Sequence, residues 1–413
     1  MSGILSGMRV VEGSAFVAVP LAGMTLAQMG AEVIRFDRII GGLDAHRWPV
    51  AANGESHFWA GMNKGKKSIA VDMSSERGRE LVTQIITAPG EDAGLFLTNL
   101  KVRGWMDYPS LSKHRKDLIM VALKGDRAGR PAVDYTVNPA IGFPAITGPE
   151  DSTEPVAHAL PAWDCIAGNM MVSALLAAER HRLKTGRGQD VEFALKDAAA
   201  AMLGHLGIIG DTQTGGQKRG KSGNSLYGAY GQDFVCKDGQ RVMVIGLTDR
   251  QWRGLIKQTG TADQMAQLEK RLRIDLRDEG TRFVHRADIT AVLTPFFASR
   301  AVADFAEAFD VAGLTWSIFR DFETALAEDD DLSESNPMFK MIDNPGLGRF
   351  MVPGSPLNFS TFPREVPQPA PVLGMHTEEI LGDVVRMTDT EIAQLFDTGT
   401  VQSPGRLRQK PAA

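Results

Sequence analysis

From residue 8 to residue 124 the apolar positions fall into short strand-length segments separated by helix-length stretches. Residues 8–12 (Met-Arg-Val-Val-Glu) and 31–37 (Ala-Glu-Val-Ile-Arg-Phe-Asp) are compact segments built on Val, Ile and Phe, the second ending in an acid. Such segments predict strands. Residues 20–29 between them predict a helix. The alternation continues with a strand at 67–72, a helix opening near Ser74 or Ser75 with Glu76 in its first turn, and strands at 94–99 and 117–124. The chain is therefore expected to be α/β, with a Rossmann-like, mostly parallel sheet whose ligands bind at the carboxyl ends of the strands. Arg38, Asn99 and Lys124 sit at such ends.

A different texture begins at Asp164. This acid precedes a long apolar stretch rich in small residues, which reads as a helix with Asp164 as its N-cap, where free N–H groups and the helix dipole favour an ionised carboxylate. Most such acids only cap; a positioned, ionised carboxylate is also a candidate nucleophile. An alternating run at 190–195 follows. Residues 212–224 hold four glycines with Lys218, Arg219 and Lys221 and read as a linker or mobile loop. Beyond it a smaller α+β domain is expected, with a hairpin at 234–245 turning at Asp238-Gly239 and amphipathic helices across 249–309. From Asn336 recurrent Pro and Gly predict an extended, irregular return segment, then short helices at 378–385 and 389–396 and a loose tail from Thr398. The expected division is 1–210 and 331–413 for the large domain and 211–330 for the small one.

Composition narrows the function. With 413 residues, 43% hydrophobic and 23% charged, the chain has the profile of a two-domain globular protein. A net charge of −5 gives no global pull toward nucleic acid or an anionic membrane. Two cysteines, no signal-peptide pattern and no bilayer-length apolar run fit a cytoplasmic enzyme. The eight histidines are scattered without metal-ligand spacing, so no metal is expected. The loop at 13–20 lacks the G-x-G-x-x-G turn, the cluster at 63–68 lacks Walker spacing, and no G-x-S-x-G elbow occurs. Arg35, Arg38, Arg47, Lys64, Lys66, Lys67, Arg103 and Lys124 could gather around a nucleotide-type phosphate; most are expected to be solvated charges. Cys165 reads as a packed thiol.

Four segments in order carry a resemblance. Met29-Gly-Ala-Glu-Val-Ile-Arg-Phe-Asp37, Asn63-Lys-Gly-Lys-Lys-Ser-Ile-Ala-Val-Asp-Met73, the span from Asp164 through Lys184-Thr-Gly-Arg-Gly-Gln189 to Ala198, and Pro371-Val-Leu-Gly-Met-His-Thr-Glu-Glu-Ile-Leu381 are similar to segments of the family III CoA-transferases. The resemblance implies a dimer of interlocked chains, each with a large Rossmann-like domain made from both ends of the sequence. It implies Asp164 as nucleophile and coenzyme A, part of the substrate, as the only cofactor-like group. It places CoA contacts at Ala15, Phe16, Val17, Arg38, Val71, Ser74, Asn99, Leu100, Lys124 and, more loosely, Arg103. Gly220, Gly223 and Gly228 resemble the family's lid, and Arg47, His46 and Tyr135 are candidates for a remote substrate carboxylate.

The chain departs from oxalate-handling members in carrying Val17 where they have glutamine. Racemases on the same fold need a histidine before the aspartate, and 131–138 has none. Segments 10–18, 47–49, 134–139, 160–164 and 336–339 resemble members that move CoA between two carboxyls of one C5 acid. An intermolecular CoA-transferase and a non-catalytic acyl-CoA binding protein are the rivals.

Overall fold

A computed structural model of the chain describes residues 3–216 and 218–404, so Met1, Ser2, Gln217 of the glycine-rich loop and the tail from residue 405 lie outside it. The chain separates into two units. One takes in the chain up to Ile141, Ala159–Gln213 and the stretch from Asp330; the other is Gly142–His158 with Thr214–Asp329. The segment 142–158, expected in the large domain, groups with the second unit.

The first unit is built on a seven-stranded sheet. Its strands are β1 (Arg9–Gly13), β2 (Glu32–Asp37), β3 (Lys67–Val71), β4 (Leu95–Thr98), β5 (Ile119–Lys124) and β6 (Gln189–Ala194), closed by a two-residue strand, Val401–Gln402. The order is Val401–Gln402, β3, β2, β1, β4, β5, β6, parallel throughout except for that edge strand, which runs antiparallel to β3. Residues 401–402, expected in a loose tail, are thus tied into the sheet. On one face lie α1 (Ala18–Gln28) and the long α6 described below; on the other, Leu81, Val82, Ile85 and Ile86 pack with Ile34, Ile69 and Phe96. Leu81, Val82, Ile85 and Ile86 belong to α3 (Glu76–Ile86), which is capped by Ser75; the short helices α2 (His57–Met62) and α4 (Tyr108–Leu111) flank it in sequence. They are followed by α5 (Asp134–Ala140), α6 (Ala162–Thr185), α7 (Leu195–His205) and α8 (Ile208–Gln213). Small residues let α6 close on α1: a Cβ on Gly168 would lie 2.7 Å from the Ala18 carbonyl oxygen.

The return segment is more regular than expected. Phe339–Asn344 and Gly348–Pro353 pair as an antiparallel hairpin. Further on, Ser68 anchors the chain, accepting the His376 amide at 2.9 Å through its carbonyl and donating its own amide to His376 Nδ1 at 3.1 Å. In the second unit β7 (Tyr230–Val235), β8 (Arg241–Gly246) and β9 (Thr315–Ile318) form an antiparallel sheet over an aromatic core of Phe234, Trp252, Phe297, Phe305 and Phe309.

Candidate active site

The carboxyl edge of the sheet is organised by buried charge. Arg35, 1% exposed, donates to Asp37 Oδ2 at 2.9 Å, Asp44 Oδ1 at 2.8 Å, Asn63 Oδ1 at 3.0 Å and the Ser14 carbonyl at 3.3 Å. Lys66 Nζ lies within 2.9 Å of both Glu12 oxygens and also donates to Asn63 Oδ1 and the Pro20 carbonyl. Ser14 Oγ donates to Glu12. Burial disfavours the charge on Lys66 and brings it down to about 8 against the pull of Glu12, and burial likewise raises Asp37. Arg35 and Lys66 are therefore neither solvated nor open to a phosphate. They fix the 14–17 loop and the 38–44 loop to the strand ends. Glu12 and Asp37 lie at the ends of β1 and β2 and Asp44 in the loop that follows β2, and all three are buried. A Cβ on Gly23 would meet Glu12 Oε2 at 1.8 Å, so only glycine leaves room for that carboxylate.

Over this base opens a cleft of about 810 Å³ lined by Ala15, Arg38, Val71, Ser74, Leu100 and Trp105, among others. Five candidate CoA contacts are thus brought together, and Trp105 is a lining residue that the sequence reading did not single out. Asn99 works differently: its carboxamide accepts the Ala15 amide at 2.9 Å and donates to the Ala15 carbonyl at 2.8 Å, shaping the loop. Phe16 is held at φ +69°, a left-handed conformation rarely taken by a bulky residue, and Val17 is buried. Lys124 pairs with Glu192 at 2.6 Å, and Arg103 is exposed before a short turn at Gly104–Met106. Lys64 is buried rather than solvated, and burial, then Lys66, pushes it down to about 8.

Asp164 is not an N-cap. Pro161 takes that position, and Asp164 is the third residue of α6. The cap comes from elsewhere: Asp134 Oδ2 accepts the Trp163 amide at 2.7 Å and the Asp164 amide at 3.2 Å. Burial, then the charge of Asp134, push Asp164 up to about 6, with Arg47 pulling the other way. The Arg47 guanidinium lies 5.4 Å from the Phe16 ring centroid and 5.3 Å from that of Phe58. His46 is exposed, and Tyr135, 53% exposed, donates to the Ala159 carbonyl at 3.0 Å. Burial and the two acids raise Cys165, which keeps it a thiol. Gly220, Gly223 and Gly228 belong to the second unit, where the Gly223 amide donates to Gly148. Among the described residues no group of three His, Cys, Asp or Glu could hold a metal ion, and no helix is long and apolar enough to cross a membrane.

This chain is similar along its whole length to proteins that handle acyl-CoA. It is 53% identical over 407 residues to 2-methylfumaryl-CoA isomerase of Chloroflexus aurantiacus, covering 98% of this chain and 100% of that protein. It is 26% identical to the succinyl-CoA:glutarate CoA-transferase of Mus musculus over 96% of this chain and 90% of that one. The crystal structure of a CAIB/BAIF family protein from Brucella suis superposes with a TM-score of 0.75 at 25% identity, over 93% of this chain and all of the other. The model of CoA-transferase family III matches residues 5–377, and the chain belongs to that family.

Proposed function

We propose that this protein moves coenzyme A between the C1 and C4 carboxyls of mesaconate, converting 2-methylfumaryl-CoA to 3-methylfumaryl-CoA through a thioester on Asp164. The observation that carries the chemistry is Asp164 itself, a carboxylate fixed in the first turn of a long helix, ionised at neutral pH yet more basic than usual. The likeness to the Chloroflexus isomerase favours mesaconate as the acid.

An Asp164 oxygen attacks the thioester carbonyl. The tetrahedral intermediate collapses with cleavage of the C–S bond, releasing CoA as thiolate and leaving a mixed anhydride of Asp164 and mesaconate. The thiolate then attacks the Asp164 carbonyl carbon, the C–O bond breaks, and mesaconate leaves as a carboxylate while Asp164 carries CoA. The other carboxylate of the retained acid attacks this thioester, and the two steps run in reverse at the new end. Asp164 is regenerated and no net proton is exchanged. Retention of the acid raises its effective concentration far above that of free acids, and exclusion of water protects the anhydride.

Ala15, Phe16, Val17, Arg38, Val71, Ser74, Leu100, Arg103 and Lys124 hold CoA in this reading, with Asn99 shaping the loop beneath it. Arg47 meets the remote carboxylate, with His46 and Tyr135 nearby in sequence to the groups that frame it. Gly220, Gly223 and Gly228 serve the lid. The enzyme is proposed to work as a cytoplasmic homodimer; α8, none of whose residues is buried, and Leu206, 66% exposed, offer apolar surface for a second copy.

The test is incubation of the purified protein with mesaconyl-C1-CoA alone and, in parallel, with isotopically labelled free mesaconate. Formation of the C4 isomer without label uptake is expected. Conversion only when a free acid is supplied would make the enzyme an intermolecular CoA-transferase instead.

A further inference from the structure

The first turn of α6 cannot satisfy its own amides. Its N-cap, Pro161, makes no side-chain capping hydrogen bond, and the opening N–H groups of any helix lack intrahelical partners. Asp134, thirty residues earlier and 1% exposed, supplies the acceptor for both Trp163 and Asp164. The Trp163 indole N–H adds a bond to Asn138 Oδ1 at 3.2 Å, so α5 grips the turn through two residues one helical turn apart. Asn138 and Trp163 are themselves buried. We infer that Asp134 is a positioning residue for the reaction, fixing the turn that carries the nucleophile and setting a second negative charge beside it.

A neutral cap would hold the amides as well, since Ser and Asn cap helices about as effectively as Asp. A buried acid is the costly choice. Its distinguishing effect is the charge. Placed beside Asp164, a second carboxylate makes ionisation harder and the ionised oxygen more basic, hence a stronger nucleophile toward a thioester.

Among the described residues, the neighbouring elements carry further charged groups. Arg47 opposes Asp134, and α1 has no titratable residue. Lys124 of β5 is paired with Glu192 of β6, which also carries Asp190. The charged residues of α7, Lys196, Asp197 and His205, are exposed, off its packed face of Leu195, Ala198 and Ala199.

The inference rests on the reading of Asp164 as nucleophile, and the test separates the two. The full-length Asp134→Asn variant keeps an acceptor for both amides and removes the charge; Asp134→Ser does the same with a smaller side chain, should the first fail to fold. Isomerisation of mesaconyl-C1-CoA is followed from pH 5 to 9. The expected result is an acid limb of kcat/KM moved down by about one pH unit, with KM at pH 8 within about twofold of the parent value. At pH 8, kcat is expected to fall roughly three- to tenfold as the oxygen becomes less basic. A profile that superimposes on the parent, in either variant, overturns the inference. Full turnover in Asp164→Asn would overturn the nucleophile reading itself; loss of turnover there with an unshifted Asp134→Asn profile sinks only the role of Asp134.

Discussion

Two groups of charges in the first unit make an instructive contrast. Around Arg35 and Lys66, three carboxylates face two cations, with the principal contacts between 2.8 and 3.0 Å and a shared Asn63 filling the remaining valences. Around Asp164, two acids stand together and the counterweight is an exposed arginine. The first arrangement interleaves opposite charges at hydrogen-bond distance and locks loops onto strand ends. In the second, burial and a neighbouring acid disfavour the ionised form of Asp164 and make that carboxylate more basic.

The contrast breaks most completely at the proposed nucleophile, Asp164. Asp164→Ala is expected to lower turnover by at least about a thousandfold with circular dichroism and thermal midpoint nearly intact. In the Arg35 and Lys66 group the effect falls on folding. Arg35→Met strands the carboxylates of Asp37 and Asp44 and should cost about 3–5 kcal/mol in urea denaturation. Arg47→Met sharpens the comparison from the other side. Removing a cation that lowers the Asp164 pKa should move the acid limb of turnover upward from about pH 6. If Arg47 also meets the remote carboxylate, KM should rise roughly ten- to a hundredfold.

The smallest effect concerns stability. The folded-state pKa of Asp164 is raised from 3.8 to about 6, so its ionised form is disfavoured on folding. That cost is fully present above pH 6 and is relieved as pH falls through 6 toward 3.8. Asp164→Asn should therefore stabilise the protein at pH 7.5 by about 1–2 kcal/mol, after allowance for partial exposure, and the gain should vanish below about pH 4. Equal stabilities across that range, read by thermal denaturation, would mean that Asp164 carries no such strain.

The parallel sheet was legible because short segments rich in Val, Ile and Phe, such as 31–37, alternate with helix-length stretches. The catalytic candidate was legible through the motif around it, although its helical position was not: Pro161, which precedes it, lacks a side-chain acceptor, and Asp134 lies too far away in sequence for capping rules to reach. The buried ion group was hidden for a similar reason. Glu12, Arg35, Asp44 and Lys66 come from separate elements, and a lone Arg in a strand has the same local pattern whether its partner is water or a carboxylate. The edge strand at Val401–Gln402 is too short to show any period, and the Pro and Gly around 345–348 that suggested irregular chain instead make the turn of a hairpin.

The most direct test of the central claim is to trap the covalent enzyme. Protein mixed with mesaconyl-CoA is quenched with hydroxylamine, digested and mapped by mass spectrometry. A substrate-dependent hydroxamate on Asp164 is the predicted result; modification at another residue, or none while turnover proceeds, would contradict the account.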